Sequence, residues 1–355
     1  MSAHVLLSRT DALGDVTLAL PMAGAIKRHL PGARVSFLGR TYTQPVIEAC
    51  EHVDAFVDWT SVADADEETQ AALLRELGAS HVIHVNAYRA ECRAAHRAGI
   101  PVRIAMARRM WGLIHSNRWL FFGRRRSPLH ETQLNLMMLR ALGIHDVPDL
   151  DGVAGLYGLT RAQPLARELE ARFDPGRIHV VLHPRSGGTA PEWGVPNFAR
   201  LMRELDPERY QVFVTGSARE REQSAAHLPL DLPHVCDLMG RLDLHQLIAL
   251  LGRADAAVAS STGPIHVAAA LGTVAVGLYT ARPSKNAARW GPVGLHRHWL
   301  VYDAQCATCL RGESCECCSR IPVERVLDVL ADHGLDARER RLRGESVGAA
   351  VGAPR

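Results

Sequence analysis

The feature that most constrains the fold is an alternation of short β-rich runs with helical stretches, which occurs twice along the chain. The runs of the first half are HVLLSR, ARVSFLGR, VDAFVDW and SHVIHVN, with helices from about Val16 and after Pro128. Those of the second half are IHVVLHP, YQVFVTGS, ADAAVASS and VAVGLYT, separated by the helical segments PNFARLMREL, LHQLIALLG and PIHVAAALG. This pattern predicts an α/β fold with two doubly wound parallel sheets.

The length of 355 residues suits two domains. A segment rich in Asp and Pro, IHDVPDLDG, precedes LTRAQPLARELEARF, which reads as a charged helix, and we place the linker near residues 145–160. The expected domains are 1–150 and 151–335. Residues 336–355 carry too little large apolar surface to bury, which predicts a mobile tail.

Composition narrows the class of protein. The chain is 47% hydrophobic and 22% charged with a net charge of +3, which is typical of a globular protein and gives no support for nucleic-acid binding. The start MSAHVLLSRT lacks a basic leader and predicts a core strand instead of a signal peptide. Since no run has the roughly 18 apolar residues of a membrane span, we expect a cytoplasmic protein.

Three turns between a strand and a helix carry candidate site residues. In SRTDALGDVTLALP a strand ends near Arg9, and Asp11 and Asp15 follow at the edge of the sheet where open α/β folds bind ligands. Both aspartates could instead cap the helix that starts there. In VVLHPRSGGTAPEWG, the segment Arg185, Ser186, Gly187 and Gly188 offers a guanidinium and approachable backbone N–H groups to a phosphate, although an ordinary loop fits equally well.

The third turn lies in ADAAVASSTGPIHVAAALG. Ser261, Thr262 and Gly263 lead into a helix with Pro264 in its first turn, and the N–H groups at such a helix start form an anion site. His266 would lie one turn into that helix, close to the anion. A histidine with a purely structural role is the alternative.

Five segments follow one another along the chain, in the order SRTDALGDVTLALP, HPRSGGTAPEWG, FVTGS, LMGRLDLHQLIALL and SSTGPIHVAAALG. With these segments in this order, the chain resembles glycosyltransferase family 9 from about residue 4 to 330. That family contains the ADP-heptose:lipopolysaccharide heptosyltransferases. The resemblance implies a GT-B architecture, in which two Rossmann-like domains face a central cleft. It also implies inverting transfer of a heptose or related sugar, without a catalytic cofactor, from an ADP-sugar to a saccharide or lipid-linked saccharide.

Roles for several residues follow from the same resemblance. Asp15 matches the family's Gly-Asp pair, whose carboxylate acts as general base on the acceptor hydroxyl. The Ser186–Gly188 loop and the Thr262–His266 helix start would face the diphosphate of the nucleotide-sugar. Thr215 and Gly216, at the end of a neighbouring strand, would line the nucleoside pocket.

Two positions depart from the family pattern. Ser261 stands where many heptosyltransferases have an acidic residue, which affects the identity of the sugar. Pro191 stands where they have a lysine, and Arg185, Arg282 or Lys285 could replace that phosphate cation.

The segment 103–130 places seven arginines among Trp111, Trp119, Phe121 and Phe122. Arginine binds carboxylates and phosphates, and aromatic residues favour a membrane surface. This segment is therefore the candidate for contact with an acidic acceptor and with the cytoplasmic face of the inner membrane, against the alternative of a solvated hairpin. The candidate acceptor-binding residues are Asp11, Arg118, Arg124, Arg125 and His130.

Five of the eight cysteines lie in CATCLRGESCECC. A CxxC followed by further cysteines can form a tetrahedral thiolate site, and we expect a structural zinc or iron at Cys306, Cys309, Cys315 and Cys318. Free thiols and oxidised pairs are the alternatives.

Two other functions fit the sequence. A nucleotide-sugar epimerase can share the two-domain architecture, and it would convert the donor without any acceptor. A nucleotide-sugar-binding protein that had lost activity through the changes at Pro191 and Ser261 would bind the donor without turnover.

Overall fold

The computed structural model describes residues 3–124, 127–188 and 190–343 of the chain. By its internal contacts the chain divides into two compact units, Met1–Ala162 and Gln163–Arg355. Each unit holds one six-stranded parallel sheet with helices, which confirms the predicted α/β class.

The first sheet has the strand order β3-β2-β1-β4-β5-β6. Its strands are β1 (His4–Ser8), β2 (Arg34–Gly39), β3 (Ala55–Asp58), β4 (His81–His84), β5 (Val102–Met106) and β6 (Arg118–Leu120). Its helices are α1 (Leu13–Thr17), α2 (Pro21–His29), α3 (Gln44–Glu48), α4 (Glu67–Glu76), α5 (Arg89–Arg97), α6 (Met110–His115), α7 (Glu131–Leu136) and α8 (Leu150–Ala154), with 3₁₀ turns at Thr41–Thr43, Thr60–Val62 and Met137–Leu142. The central strand β1 is apolar because it is covered on both faces.

The second sheet repeats this topology in the order β12-β11-β10-β7-β8-β9. Its strands are β7 (Ile178–His183), β8 (Tyr210–Val214), β9 (Val235–Asp237), β10 (Ala256–Ser260), β11 (Val274–Tyr279) and β12 (Arg297–Val301). Its helices are α9 (Arg167–Glu170), α10 (Val195–Glu204), α11 (Ala218–Ser224), α12 (Leu244–Arg253), α13 (Gly263–Ala270), α14 (Ala287–Trp290), α15 (Ala307–Leu310) and α16 (Val323–Leu342), with a 3₁₀ turn at Ala225–His227.

Both strand orders are those of a Rossmann fold, in which the order reverses beside the first strand. In the first unit this switch point lies between β1 and β4, and in the second between β7 and β10. Ligands of open α/β sheets bind outside the carboxyl ends of the strands at such a point. The turns that follow these four strands are therefore the places to look for a site.

Two expectations and one alternative need correction. The segment 103–130 is not a hairpin, because β5 and β6 pair in parallel and α6 connects them. The charged helix expected in 159–173 is reduced to α9, and Gln246 accepts a hydrogen bond from the backbone of Ala166 just before it. Residues 150–162 belong to the first unit, since Leu159 forms a β-bridge with Cys50 and moves the boundary beyond residue 150.

The start of the expected tail is helical instead. Residues 336–342 continue α16, in which Ala337 is buried and Arg341 forms an ion pair with Asp255, 2.7 Å between Nε and Oδ1. Asp255 is completely buried and also accepts from the backbone of His179 at 2.8 Å. The rest of the expected tail, residues 344–355, lies outside the described residues.

Candidate active site

The turn after β1 brings two carboxylates onto one guanidinium. Arg9 donates from Nη2 to Asp15 Oδ1 at 2.5 Å, and its Nε lies 2.7 Å from Asp11 Oδ2. The side chain of Arg9 is 6% exposed, those of Asp11 and Asp15 15% and 27%. The site is thus partly shielded from water, yet Asp15 stays accessible to a ligand.

The aspartates do not cap the helix through their side chains. The N-cap of α1 is Ala12, which makes no side-chain capping bond, and Asp15 lies in the first turn with its carboxylate on Arg9. Asp11 instead accepts from the Tyr88 hydroxyl and, at 3.3 Å, from the Asn86 amide. Since both of these partners follow β4, the two strands of the switch point supply the site together.

The balance of burial and charge sets the basicity of Asp15. Burial raises the pKa of Asp15, the charge of Arg9 lowers it, Asp11 raises it again, and the net direction is upward. Burial lowers the pKa of Arg9. The charges of Asp15 and Asp11 raise it by more, so that the net pKa of Arg9 is raised. A carboxylate with a raised pKa that keeps a partner is suited to accept a proton. Among the described residues, Asp15 Oδ2 has no hydrogen-bond partner.

The other candidates of the first unit have different surroundings. Arg118 is exposed on β6. Arg124 is paired with Glu131 and donates to Asn135 at 2.9 Å, so its charge is used within the fold. His130 is buried and caps α7, accepting from the backbone of Thr132 at 3.2 Å. Arg125 lies outside the described residues.

The turn around α6 and β6 exposes large apolar side chains next to arginines in sequence. The exposed fraction is 82% for Phe121, 59% for Met110 and 56% for Ile114. Arg108, Arg109 and Arg118 are exposed as well. No helix within 3–124, 127–188 and 190–343 has both the length and the apolar character needed to cross a bilayer.

The loop after β7 is organised by Glu192, a residue that the motif did not indicate. Glu192 Oε1 accepts from the Ser186 backbone at 2.7 Å and from its hydroxyl at 2.9 Å, and Glu192 Oε2 lies 2.8 Å from Arg185 Nη1. Gly187 and Gly188 have φ angles of +59° and +78°, a region that disfavours other residues. The loop is therefore folded around a carboxylate that already neutralises Arg185.

The end of β8 lies beside this loop. Thr215 is buried, and its hydroxyl is 3.0 Å from His183 Nδ1. Burial lowers the pKa of His183, whereas the charge of Glu220 raises it. A Cβ at Gly216 would come within 2.8 Å of the Met239 methyl group, so a larger residue there would require the Met239 side chain to shift. These contacts give Thr215 and Gly216 structural roles that are compatible with a pocket wall.

The turn after β10 contains a buried polar atom without a partner. Thr262 is the N-cap of α13, but its side chain does not cap the helix, and among the described residues its buried Oγ1 has no hydrogen-bond partner. Such an atom favours a ligand group that completes its bonding. Pro264 lies in the first turn of α13, as predicted, and His266 is buried one turn in. Ser261 is partly exposed, and the neighbouring Tyr279 hydroxyl donates to the Trp290 carbonyl at 2.7 Å.

The cysteine cluster has a different fourth member from the one expected. The Sγ atoms of Cys306, Cys309, Cys315 and Cys317 lie within 4.8 Å of one another. Cys318 instead packs into the main core of the second unit, with its Sγ 3.6 Å from the Pro191 carbonyl. Adjacent residues in this turn point to opposite sides, so Cys317 replaces Cys318 in the candidate metal site.

Sequence reasoning missed Arg9, Tyr88, Glu192 and His183. Arg9 and Tyr88 had a usable signal, because each follows a predicted strand at the carboxyl edge. His183 had the same signal, because it ends the predicted run IHVVLHP, whereas Glu192 had none, since its role depends on the conformation of the loop.

The model of glycosyltransferase family 9 (heptosyltransferase) matches residues 99–319, more than half of the chain. A Haemophilus influenzae protein assigned as a glycosyltransferase is 25% identical over 300 residues, covering 81% of this chain and 86% of the relative. Lipopolysaccharide heptosyltransferase 2 of Escherichia coli is 35% identical over 96 residues, covering 26% of this chain and 28% of that protein.

The fold has a solved counterpart. The structure of Escherichia coli ADP-heptose LPS heptosyltransferase II superimposes with a TM-score of 0.72 at 18% identity, over 94% of this chain and 99% of that one. The two Rossmann-like units of the present chain therefore correspond to the GT-B architecture.

Proposed function

Because the chain belongs to glycosyltransferase family 9, we propose that this glycosyltransferase moves a heptose or a related sugar from an ADP-sugar to a saccharide or lipid-linked saccharide in lipopolysaccharide or envelope biosynthesis. The proposed reaction inverts the anomeric carbon. The names of the matched heptosyltransferases support the donor and the acceptor class. The observation that carries the mechanism is the pair of carboxylates held by Arg9 at the switch point of the first unit.

Asp15 is proposed as the general base. The acceptor hydroxyl attacks the anomeric carbon, the bond from that carbon to the diphosphate breaks, and the hydroxyl proton passes to Asp15. Desolvation makes Asp15 a stronger base than an exposed aspartate, while Arg9 fixes one of its oxygens and leaves the other to receive the proton. Asp11, bound by Tyr88 and Asn86, orients the guanidinium.

The second unit is proposed to bind the nucleotide-sugar. The start of α13 offers backbone N–H groups and the unpartnered Thr262 hydroxyl to the diphosphate. The Ser186–Gly188 loop adds the N–H groups of Gly187 and Gly188, which are exposed and have positive φ angles. These dipoles stabilise the charge that develops on the leaving diphosphate.

The two departures from the family pattern affect the donor. Arg185 is a weaker substitute for the missing lysine at Pro191 than the sequence suggests, because Glu192 neutralises it. Ser261 is a neutral side chain and presents no charge to the sugar. We therefore propose a donor sugar that makes fewer charged contacts than in the enzymes with an acidic residue there.

The acceptor is proposed to approach along α6 and β6 at the cytoplasmic face of the inner membrane. Exposed Phe121, Met110 and Ile114 can enter the headgroup region while Arg108, Arg109 and Arg118 bind acidic groups. This contact is peripheral. The reacting atoms need no metal ion in the proposed step.

The test is to incubate the purified protein with ADP-sugars, including ADP-L-glycero-β-D-manno-heptose, with and without lipopolysaccharide-core acceptors, and to measure released ADP. Release that requires the acceptor supports transfer. Donor binding without turnover across the acceptors would favour the inactive binding protein, and conversion of the donor without acceptor would favour the epimerase.

A further inference from the structure

We propose that Cys306, Cys309, Cys315 and Cys317 bind one structural zinc ion, and that this ion fixes a segment of the chain that supports the loop Ser186–Trp193. The metal site does not depend on the proposed function. The support of the loop rests on the proposed function only for what the loop binds.

The sulfur positions fit a single tetrahedral ion. The Cys306 and Cys315 Sγ atoms are 3.6 Å apart, and those of Cys315 and Cys317 3.1 Å. An ion with four Zn–S bonds of about 2.3 Å places its sulfur atoms roughly 3.8 Å apart. All four cysteines are free, and both distances are far longer than the roughly 2.05 Å of a disulfide. Four sulfur atoms within 4.8 Å leave room for one ion and not for several.

The backbone arranges the four sulfurs in two pairs. Cys306 is the N-cap of α15 and Cys309 lies in that helix, so that a spacing of three residues puts both on one face. Gly312, with a φ of +83°, then reverses the chain, and its N–H donates to the Cys309 carbonyl at 2.8 Å. This turn returns Cys315 and Cys317 to the first pair. The site is formed by the fold of one short segment, as in compact structural zinc sites.

The surroundings indicate a closed site. Cys309 and Cys317 are buried together with Ala281, and Val301 packs against this small cluster. Thiols are weak hydrogen-bond donors and acceptors, so four of them without an ion would stabilise the segment little. With four protein ligands and two of them buried, the site has no open position for a water or a substrate, which favours structural over catalytic zinc.

The residues directly after the site contact the candidate donor loop. Trp193 Nε1 donates to the Ile321 carbonyl at 2.7 Å, and Asn197 donates to the Ser319 carbonyl at 2.7 Å. The Trp193 backbone N–H also donates to Ser260 Oγ at 3.0 Å, at the end of β10. Trp193 therefore links the segment behind the cysteines to the end of β10, one of the two strands of the switch point. Loosening that segment should loosen the loop Ser186–Trp193.

The first measurement is elemental analysis of the full chain purified without a metal-affinity tag or added metal. We expect about one zinc per chain, and its loss in Cys309→Ser. Cys318→Ala and Cys236→Ser, which change thiols outside the site, should keep the zinc. Wild-type protein without metal and with five reactive thiols in 306–318, iron in place of zinc, or zinc retained by Cys309→Ser would each overturn the assignment.

The second measurement is hydrogen exchange of wild type and Cys309→Ser. Peptides that cover 302–321 and 186–193 should exchange at least several-fold faster in the variant, and peptides that cover β1 should not change. Faster exchange in 302–321 alone would overturn the link to the loop. Weaker ADP binding by the zinc-free variant would agree with the link, whereas an absence of ADP binding in zinc-loaded wild type would contradict the proposed function and leave the metal site intact.

Discussion

Arg9 donates to Asp15 over 2.5 Å, and its guanidinium is buried while the carboxylate is partly open to solvent. The same guanidinium lies 2.7 Å from Asp11, so that one cation serves two acids. A buried cation loses stability when one of its carboxylate partners is removed, whereas an acid at the edge of the site can exchange protons with a ligand. This asymmetry separates the proposed roles of Asp11 and Asp15.

Asp15→Asn should lower turnover by about 10²-fold or more, because it removes the proposed base and keeps the shape of the side chain. Affinity for ADP should stay near the wild-type value, which calorimetry would show. Asp11→Asn is the matched control and should lose less activity. Near-normal turnover in Asp15→Asn together with a large loss in Asp11→Asn would transfer the role to Asp11.

The pH dependence of kcat/KM should show an acidic limb above 3.8, the ordinary pKa of an aspartate, because the pKa of Asp15 is raised and the base must be ionised. The charge of Arg9 lowers this pKa, so Arg9→Met should move the limb to higher pH. Arg9→Lys keeps the charge and should move it less. A limb that stays in place or shifts to lower pH in Arg9→Met would contradict the assignment of the limb to Asp15.

Thr262→Val should weaken ADP binding about tenfold, equivalent to roughly 1.4 kcal/mol, while the melting temperature stays equal or rises. The reason is that Oγ1 is buried without a partner within the described structure, so its removal costs the protein no hydrogen bond. Thr273→Val is the control, since that hydroxyl donates to the Leu251 carbonyl at 2.6 Å. It should lower stability by about 1 kcal/mol without changing ADP affinity. Equal ADP affinity in both variants would exclude Thr262 from the site.

Arg341→Met should lower the free energy of unfolding by about 3–5 kcal/mol, because it leaves the completely buried Asp255 without its cation. Urea denaturation followed by circular dichroism would measure the change. Arg343→Met, whose parent side chain is 57% exposed and 3.8 Å from Glu339, should cost less than about 1 kcal/mol. Similar small effects in both variants would show that the last turns of α16, residues 336–342, do not hold this helix to the second sheet.

The alternation of strands and helices was readable from the sequence because its signals are local. Runs such as HVLLSR and VAVGLYT are mostly apolar, as a parallel strand covered on both faces must be. The strands β1 and β11 lie in these two runs. Pro264 likewise marked the start of α13. The sequence also placed Asp15 and Thr262 after strands, at the edge of a sheet where ligands bind.

Tertiary structure decided which of these residues meet. The strand order, which puts β4 beside β1, brings Tyr88 to Asp11, although 77 positions separate them in the chain. Glu192 neutralises Arg185 only because the loop after β7 folds back on itself. Cys317 and Cys318 are chemically identical neighbours, and packing of Cys318 into the core leaves Cys317 to face the other thiols. Local sequence specifies the conformation of a segment, whereas the partner of a side chain depends on contacts between segments that are distant in the chain.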